Sequence, residues 1–552
     1  MNVLAPAHMD RSFTWDAVKA RHLLERAGFG LPPSAAQRLA SMSLTEAVNA
    51  LVDYERYPQN MVEPDWLPEI PDPREERKKL AALSAEARQQ MRRERQRQER
   101  EALLRLQGWW VDRMLRTERP LEEKMTLFWH GHFAVSAQKV RSTRLHYELN
   151  QIFRTHATGN FGHLVRAVGK SPAMLEYLDN RLNRKGHPNE NWARELFELF
   201  TLGIGHYTEN DIKEAARAFT GWTARGGSFV YDARQHDDGE KVIFGRVGRF
   251  DGDQVIDLVL QQPACAEFIC RKLWVFFVSE NPDPEAVKEL AKTFRDSGYE
   301  LKPVLRQMFM SRAFYSPEVM GSQIKSPAFF VTNAVGKLGV NPDERMPLVL
   351  LAMKAMGQEL FVPPNVKGWE GGRAWISTNS LLTRSSFTGY LVAGVSPSFG
   401  GEGKARLKTL SSPPPSSASP FASPMMSDTP SMMSQDVLGS SDSMPLRDED
   451  VREFLLALAE DNRSSRQRFR TWFNASEFFA PYESWSVEQV VDTLAAYFLS
   501  VPLKRSRRNI LLEALCEKVA RKDKPLLLRD IPEDNRRGML YLLLSSAEYQ
   551  LC

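Results

Sequence analysis

Residues 187–223, HPNENWARELFELFTLGIGHYTENDIKEAARAFTGWT, have the pattern of two amphipathic helices joined by a glycine-bearing turn. Apolar residues recur at helical spacing and predict one buried face on each helix: Ala193, Leu196, Phe197 and Phe200, then Ile212, Ala215, Ala216 and Phe219. Gly203 and Gly205 predict the end of the first helix, because glycine relieves strain there. Thr208 and Asp211 predict a capping box that begins the second.

The opposite face of the first helix carries charges three or four residues apart: Glu190, Arg194, Glu195 and Glu198. One interpretation is a solvated ladder of ion pairs, each worth about 0.2–0.5 kcal/mol. The other is a functional acidic face. The spacing alone fits both interpretations.

Upstream, residues 73–116 predict one long charged helix. Its first part has a thin apolar stripe and its second part has a full apolar face, so we expect it to project into solvent and then dock on the core. The alternatives are a basic arm for nucleic acid or a coiled-coil partner. Five interspersed glutamates dilute the positive charge and favour the solvated helix: Glu75, Glu76, Glu86, Glu94 and Glu99.

Residues 224–247 are the one region with a β pattern. Phe229 and Tyr231 alternate before the turn residues 237–239, and residues 242–244 can form the returning strand, which predicts one β-hairpin. Helical periodicity surrounds this region. Residues 11–396 are therefore expected to form the main helical domain.

Residues 397–446 are rich in Ser, Pro and Met and predict a disordered linker, since such a segment cannot bury enough apolar surface to offset its ordering entropy. Residues 447–552 are helical again and are expected to pack on the main domain. Together the patterns predict a mainly α fold. It consists of a large multi-helix globular domain with one small β-hairpin, a long charged helix and a C-terminal helical segment after a disordered linker.

The composition narrows the class of protein. A net charge of +4 over 552 residues argues against a dedicated nucleic-acid binder. The four cysteines lack C-x-x-C spacing, so neither a zinc ribbon nor a disulfide framework is expected. No apolar run suits a signal peptide or a transmembrane helix. These absences predict a cytoplasmic protein without a membrane span, with export alongside a partner left open.

Several reaction motifs are missing from the sequence. It contains no GxxxxGK[ST], no strand-linked GxGxxG, no HExxH and no GxSxG. Nucleotide hydrolysis, dinucleotide redox chemistry, zincin proteolysis and α/β-hydrolase esterolysis therefore have no positive support.

A histidine pair is the first candidate for chemistry. His130 and His132 lie two residues apart in FWHGHF, and Gly131 suggests a helix end where both imidazoles can converge. Such a pair can hold a divalent metal such as zinc, iron or manganese once a carboxylate joins it. Glu190, Glu195 and Glu198 can each supply that carboxylate, and Glu195 is the candidate third ligand. The alternative is that both histidines make ordinary hydrogen bonds at the edge of the core.

Two further segments carry residues typical of binding sites. In HDDGEK, His236 is a candidate proton carrier and Lys241 a candidate anion-binding cation, unless turn chemistry alone explains the segment. The loop VPPNVKGWEGGRAW at 362–375 has the composition of a binding loop on a rigid scaffold. Its tryptophans either stack on a sugar ring or pin the loop to the core. Its candidate substrate-binding residues are Asn365, Lys367, Trp369 and Arg373.

Seven strings of the sequence together resemble the bacterial domain-of-unknown-function 1800 family. In chain order they are HLLERAGFGLPP, EEKMTLFWHGHFAVS, NENWARELFELFTLGIGHYTENDIKEAARAFTGWT, HDDGEKVIFG, FICRKLWVFFV, PPNVKGWEGGRAW and LLLSSAEYQLC. The resemblance implies a mostly helical bacterial protein and transfers no catalytic assignment. The candidate positions on these strings are His130, His132, Asn189, Glu190, Arg194, Glu195, His236, Lys241, Asn365, Lys367, Gly368 and Trp369.

The resemblance also implies a partner. Proteins of the domain-of-unknown-function 1501 family are expected as genomic and physical neighbours. They resemble sulfatase-like proteins and often carry twin-arginine export signals. The start of this chain shows no such signal, which separates it from an exported pattern.

Two hypotheses of function fit these features. The first is a polar-cleft enzyme or ligand-binding protein, in its most concrete form a metal-assisted or acid–base hydrolase of a polar or saccharide substrate. Its candidate catalytic residues are His130, His132, Glu190, Arg194, Glu195 and His236, and Lys241 joins the loop residues in substrate binding. The alternative is a non-catalytic scaffold that organises a complex with the neighbouring exported protein. The first hypothesis requires distant segments to meet around one hollow.

Overall fold

The helical periodicity of the sequence is realised over most of the chain. A computed structural model describes residues 3–30, 33–59, 62–393, 473–517, 519 and 525–552. The structure is 61% helical with two small sheets among these residues, which confirms the mainly α prediction. No described helix is both long and apolar enough to cross a membrane. The predicted linker 397–446, and residues 447–472 of the predicted C-terminal segment, lie outside the described residues.

Prolines and polar side chains mark where many of the N-terminal helices begin. These helices are α1 (Ala17–Arg26), α2 (Pro33–Ala40), α3 (Leu44–Val52), α4 (Pro73–Ala81), α5 (Ala85–Arg116), α6 (Pro120–His132), α7 (Thr143–Thr155), α8 (Phe161–Gly169) and α9 (Pro172–Tyr177). Pro120 and Pro172 occupy first turns, where the missing N–H of proline is not needed. Asp16 and Asn160 accept hydrogen bonds from backbone amides of α1 and α8, as capping residues do.

The stretch 187–223 forms two helical segments with a turn between them. The first, α10 (Asn191–Glu195), continues directly into a π-helix (Leu196–Thr201), and α11 (Glu209–Ala218) follows. The Thr208 hydroxyl accepts the Asp211 N–H at 3.1 Å, and the Asp211 carboxylate accepts the Thr208 N–H at 2.8 Å. The predicted capping box is therefore confirmed.

Two hairpins replace the single one that was predicted over 224–247. The strand β1 (Trp222–Arg225) pairs with β2 (Ser228–Tyr231), and β3 (Lys241–Ile243) pairs with β4 (Arg246–Gly248), both antiparallel. Each turn has two residues with positive φ, Gly226–Gly227 and Phe244–Gly245. Such turns match the twist of the strands they join. The glycine pair was thus the stronger turn signal, and residues 237–239 only connect the two sheets.

The remaining helices complete two adjoining hydrophobic cores. They are α12 (Gly252–Leu260), α13 (Pro263–Phe277), α14 (Pro284–Asp296), α15 (Leu301–Met310), α16 (Pro327–Lys337), α17 (Met346–Ala355), α18 (Thr378–Ala393), α19 (Ala475–Phe479), α20 (Val487–Phe498), α21 (Arg505–Leu515) and α22 (Glu533–Leu544). One core joins α1–α3 with α6–α15, and the other joins the second half of α5 with α16–α22. Trp129 of α6 belongs to the first core and Leu127 to the second, so α6 lies at their junction.

The predicted long charged helix is present as α5, which has 32 residues. It does not extend to residue 73, because the Ser84 hydroxyl accepts the Ala87 N–H at 3.2 Å and begins a new helix after α4. Buried residues of α5 begin at Ala102, and α4 has none. Arg95 and Glu76 form an ion pair between the two helices. Residues 73–101 therefore form a charged arm that contributes nothing to the two cores, and Glu99 joins its end to Thr143 of α7.

Candidate functional site

The candidate site centres on the π-helix Leu196–Thr201, an element that sequence periodicity did not predict. The N–H of Leu202 reaches back five residues to the carbonyl of Phe197 at 2.9 Å. A π-turn widens a helix locally and occurs frequently at functional sites. Here it begins directly after Glu195, so the pitch of the acidic face changes between Glu195 and Glu198.

His132 supports the π-helix from the end of α6. Its Nε2–H donates to the Phe200 carbonyl at 3.0 Å, which is one of the carbonyls left without a partner at a helix end. Burial, and then the charge of Lys272, hold the pKa of His132 well below its usual range. Its buried Nδ1 has no hydrogen-bond partner among the described residues. His132 therefore positions the π-helix as a neutral side chain.

His130 points into a different aromatic environment. Its Nε2 accepts the Phe361 N–H at 3.0 Å, which occupies the lone pair that a metal would need. Ring centroids of Trp110, Phe361 and Trp369 lie 5.0, 5.1 and 5.6 Å from its own. Burial, and then the charge of His146, lower the pKa of His130 to about 3. His130 is therefore a neutral core residue.

The donor arrangement does not fit the metal site proposed for His130, His132 and Glu195. Each histidine directs Nε2 to the backbone of a different segment. In the part of the chain that the structure describes, no group of three or more His, Cys, Asp or Glu is placed to hold a metal ion. The hydrogen bonds of His130 Nε2 and His132 Nε2 match the alternative interpretation of this pair, and the buried Nδ1 atom of His132 has no partner among the described residues.

Glu195 and Glu198 form the acidic centre of the site. Glu195 is partly buried, and among the described residues it makes no hydrogen bond or ion pair. Burial, and then the charge of Glu198, raise the pKa of the Glu195 carboxyl, while Arg194 and Lys367 oppose the shift. Glu198 accepts a hydrogen bond from the Tyr207 hydroxyl at 3.2 Å. The two carboxylates therefore have different environments although they lie three residues apart.

The loop 362–375 reaches this centre through a contact between two glycines. Gly368 has a φ of 76°, and a Cβ atom there would lie 2.1 Å from the carbonyl oxygen of Gly131. This close approach brings Lys367 near enough to Glu195 to affect its pKa. The Trp369 ring packs beside Gly131 and stays partly exposed. The loop is thus pinned to the core, as one interpretation of its tryptophans held.

Asn365 and Arg373 lie at the surface of the same loop. The Asn365 side chain accepts the Lys367 N–H at 2.9 Å, and its carbonyl accepts the Gly368 N–H at 3.1 Å. These bonds fix a tight turn. Arg373 is exposed and has no ion pair among the described residues. Asn365 therefore shapes the loop, and no contact links Arg373 to the acidic centre.

Glu190 and Arg194, both predicted as catalytic, are paired with each other at 2.9 Å. Arg194 also donates two hydrogen bonds to Glu209, at 2.7 and 2.9 Å. The hydrogen bonds to Glu209, and then the one to Glu190, raise the pKa of Arg194, although burial acts in the opposite direction. The ladder interpretation therefore holds for these two residues, and Arg194 acts on Glu195 only through its charge.

His236 and Lys241 belong to a separate segment that packs on α11. His236 Nδ1 lies 3.0 Å from the Thr220 carbonyl. Lys241 is buried, and its Nζ donates to the carbonyls of Asp237 and Gly239 at 2.6 and 3.0 Å. Lys241 thus fastens its own loop and is not placed to bind an anion. Turn chemistry, the simpler interpretation, explains this segment.

Tyr207 and Tyr177 are site residues that the sequence pattern did not single out. Tyr207 bonds Glu198 across the turn that Gly203 and Gly205 form, so a returning turn was the signal for it. Tyr177 comes from α9. Burial, and then the charge of Glu195, raise its pKa. No local pattern points to Tyr177, because its neighbour in space is eighteen residues away in sequence.

Comparison with known proteins supplies a family and no assigned activity. No curated protein and no solved structure matches the chain. The model of a family described as "Protein of unknown function (DUF1800)" matches residues 22–551, a range that contains every site residue named above. The chain therefore belongs to the DUF1800 family.

Proposed function

We propose that the protein is an acid–base enzyme in which Glu195 donates a proton and Glu198 accepts one. The observation that carries this proposal is the difference between their environments. Glu195 is partly buried, makes no hydrogen bond or ion pair with the described residues and has a raised pKa, whereas Glu198 accepts a hydrogen bond from the Tyr207 hydroxyl. Neighbouring carboxylates with divergent environments commonly divide the acid and base roles between them.

The reaction that best suits such a pair is hydrolysis of a glycosidic bond. Glu195 transfers its proton to the leaving oxygen as the carbon–oxygen bond breaks, and Glu198 takes a proton from the water that attacks the anomeric carbon. One water is consumed. Proton exchange with solvent then restores both carboxyl groups.

A saccharide is the substrate class that the surroundings favour. Trp369 is partly exposed next to Lys367, and a ligand site typically combines aromatic surface with a few placed polar groups. The hydroxyls of Tyr177 and Tyr207 can exchange hydrogen bonds with sugar hydroxyls. Lys367 is a tuning residue in this scheme, because its charge limits the rise in the Glu195 pKa.

The test is a hydrolysis screen of oligosaccharides and nitrophenyl glycosides with the wild type and single variants. E195Q removes the acid, E198Q removes the base, and E285Q changes a glutamate of α14 whose side chain is 81% exposed. We expect E198Q to lower kcat/KM on both substrate types about 100-fold or more. E195Q should do so mainly on oligosaccharides, since nitrophenolate leaves without a proton.

E285Q is expected to match the wild type on every substrate. The proposal fails if E195Q and E198Q both keep wild-type activity, or if the wild type hydrolyses no glycoside in the panel.

A further inference from the structure

A cleft of about 710 Å³ separates the charged arm from the body of the protein. Its walls are α5, the segment after α6, α9 and the β1–β2 turn, and neither Glu195 nor Glu198 lines it. Ile70, just before the arm, packs against Gly227 of that turn. The cleft is therefore bounded by segments far apart in the chain, and its volume lies within the ~300–1,000 Å³ of ligand sites.

Three of the arginines that line this cleft have guanidinium groups that make neither an ion pair nor a hydrogen bond with the described residues. Arg92 belongs to the arm, Arg141 follows α6, and Arg181 follows α9. All three are exposed, and their guanidinium groups make no ion pair with any described residue. By contrast, Arg95 in the same wall is engaged by Glu76. An unpaired guanidinium fork matches a carboxylate in two parallel hydrogen bonds.

The charge of the arm adds to this local pattern. Glu69 and Glu176 also line the cleft, so the unpaired groups alone leave a small positive excess. The arm as a whole holds ten Lys and Arg against six Glu, an excess of +4 that equals the net charge of the entire chain. Such a concentration of one sign steers ligands of the opposite sign.

Apolar side chains also line the cleft, and we call them its floor. Ile70, Leu103 and Leu145 contribute to it. The helices of the arm also leave apolar side chains partly exposed, since Met91 is 36% exposed and α4 buries none of its residues. A helix with little buried surface gains stability when a partner covers it. The cleft therefore offers apolar contact as well as charge.

We propose that this cleft binds an extended acidic segment of a partner protein. Successive side chains of an extended strand point to opposite sides. A segment in which Glu or Asp alternates with Leu or Phe places its carboxylates on Arg92, Arg141 and Arg181. Its apolar side chains then lie on the floor, so charge and burial act together.

The experiment measures binding of a fluorescein-labelled peptide of about twelve residues that repeats Glu-Leu-Glu-Ser-Glu-Phe. R92E/R141E/R181E reverses the three cleft arginines. The matched control R93E/R105E/R184E makes the same change of charge at three exposed arginines that do not line the cleft. We expect the first variant to raise Kd about tenfold or more and the control to change it less than about twofold.

Binding should weaken as NaCl rises from about 50 to about 300 mM. A peptide with Lys in place of Glu should not bind. The proposal is overturned if the acidic peptide does not bind the wild type, or if both variants lose affinity equally. It is also overturned if heparin fragments bind at the three arginines and the acidic peptide does not.

Discussion

At the level of single residues, Glu195 is held in an environment that opposes its charge. Its pKa is raised by burial and by Glu198, so the native state binds its proton more tightly than the unfolded state does. The protein therefore loses stability as pH rises from the pKa of Glu195 in the unfolded state to its higher pKa in the folded state, and it does not regain this stability at higher pH. Functional sites often contain such unfavourable groups.

The first prediction follows from the loss of stability that ionised Glu195 causes. E195Q should raise the thermal midpoint at about pH 8, on the order of 1 °C, because the buried charge is gone. Near pH 4 it should change little, since Glu195 is then mostly protonated in both states. Circular dichroism at the two pH values measures the effect, with E285Q as the control. A midpoint that falls in E195Q at pH 8 would show that this carboxylate stabilises the fold.

The second prediction concerns His132. H132A removes a buried ring and leaves the Phe200 carbonyl without its donor, so the free energy of unfolding should fall by about 2–4 kcal/mol. Urea denaturation measures it. EDTA should leave the wild-type midpoint unchanged, because the ring serves the backbone. A fall in that midpoint with EDTA would mean that His132 is a metal ligand.

Sequence spacing singled out His130 and His132 without revealing their partners. The helix α6 continues through Gly131 to His132, so the two rings diverge. Their backbone partners, Phe361 and Phe200, lie 231 and 68 residues away in sequence. No local pattern encodes contacts of that range. Burial lowers the pKa of both histidines and keeps both rings neutral.

At the level of elements, the loop 362–375 depends on the contact between Gly368 and Gly131. G368A should destabilise the protein by more than about 2 kcal/mol, because its Cβ meets a backbone oxygen and cannot move aside. G371A is the matched control. Gly371 also has a positive φ, of 80°, but a Cβ there meets nothing within 4 Å, so G371A should cost only its backbone strain, about 1–3 kcal/mol, and less than G368A.

Thermal and urea unfolding of the two glycine variants measure this difference. The proposed hydrolysis should fall further in G368A than in G371A because Lys367 and Trp369 move with the loop. Equal destabilisation in both variants would mean that backbone strain, and no clash, governs the loop.

The elements that could be predicted are those with local causes. The capping box of Thr208 and Asp211 needs only residues three apart, and it was found. The π-helix could not be predicted, because it depends on His132 from another helix and on the Thr201 hydroxyl that donates to the Leu196 carbonyl. The second hairpin was missed because Phe244 adopts a φ of 50°, and its N–H is held by Asp211 at 2.7 Å.

At the level of the whole molecule, the two cores meet at buried charges. Lys337 of α16 donates to Glu25 of α1 at 2.7 Å and to the Phe498 carbonyl at 3.4 Å. The Ser500 hydroxyl donates to the other oxygen of Glu25. Segments hundreds of residues apart are thus tied at one point. Glu25 lies in a short helix whose sequence gives no sign of this burial.

The last prediction tests the buried ion pair between Lys337 and Glu25. K337M leaves Glu25 buried without its cation and should lower the free energy of unfolding at neutral pH by about 3–5 kcal/mol. The double variant E25Q/K337M should recover a large part of this loss, since no buried carboxylate is left without Lys337. K288M, which breaks an exposed pair with Glu285, should change stability by about 0–1 kcal/mol.

The pH dependence gives an independent check of the same pair. Burial acts to raise the pKa of Glu25, but the charges of Lys337 and Lys325 bring it down to about 2. The carboxylate therefore stabilises the wild type above its unfolded pKa, and this contribution is lost as pH falls toward 2. In K337M burial acts with less opposition, so the gap to the wild type should narrow in acid. A gap in urea denaturation that stays constant from pH 7 to about pH 4 would mean that Lys337 contributes packing and little charge.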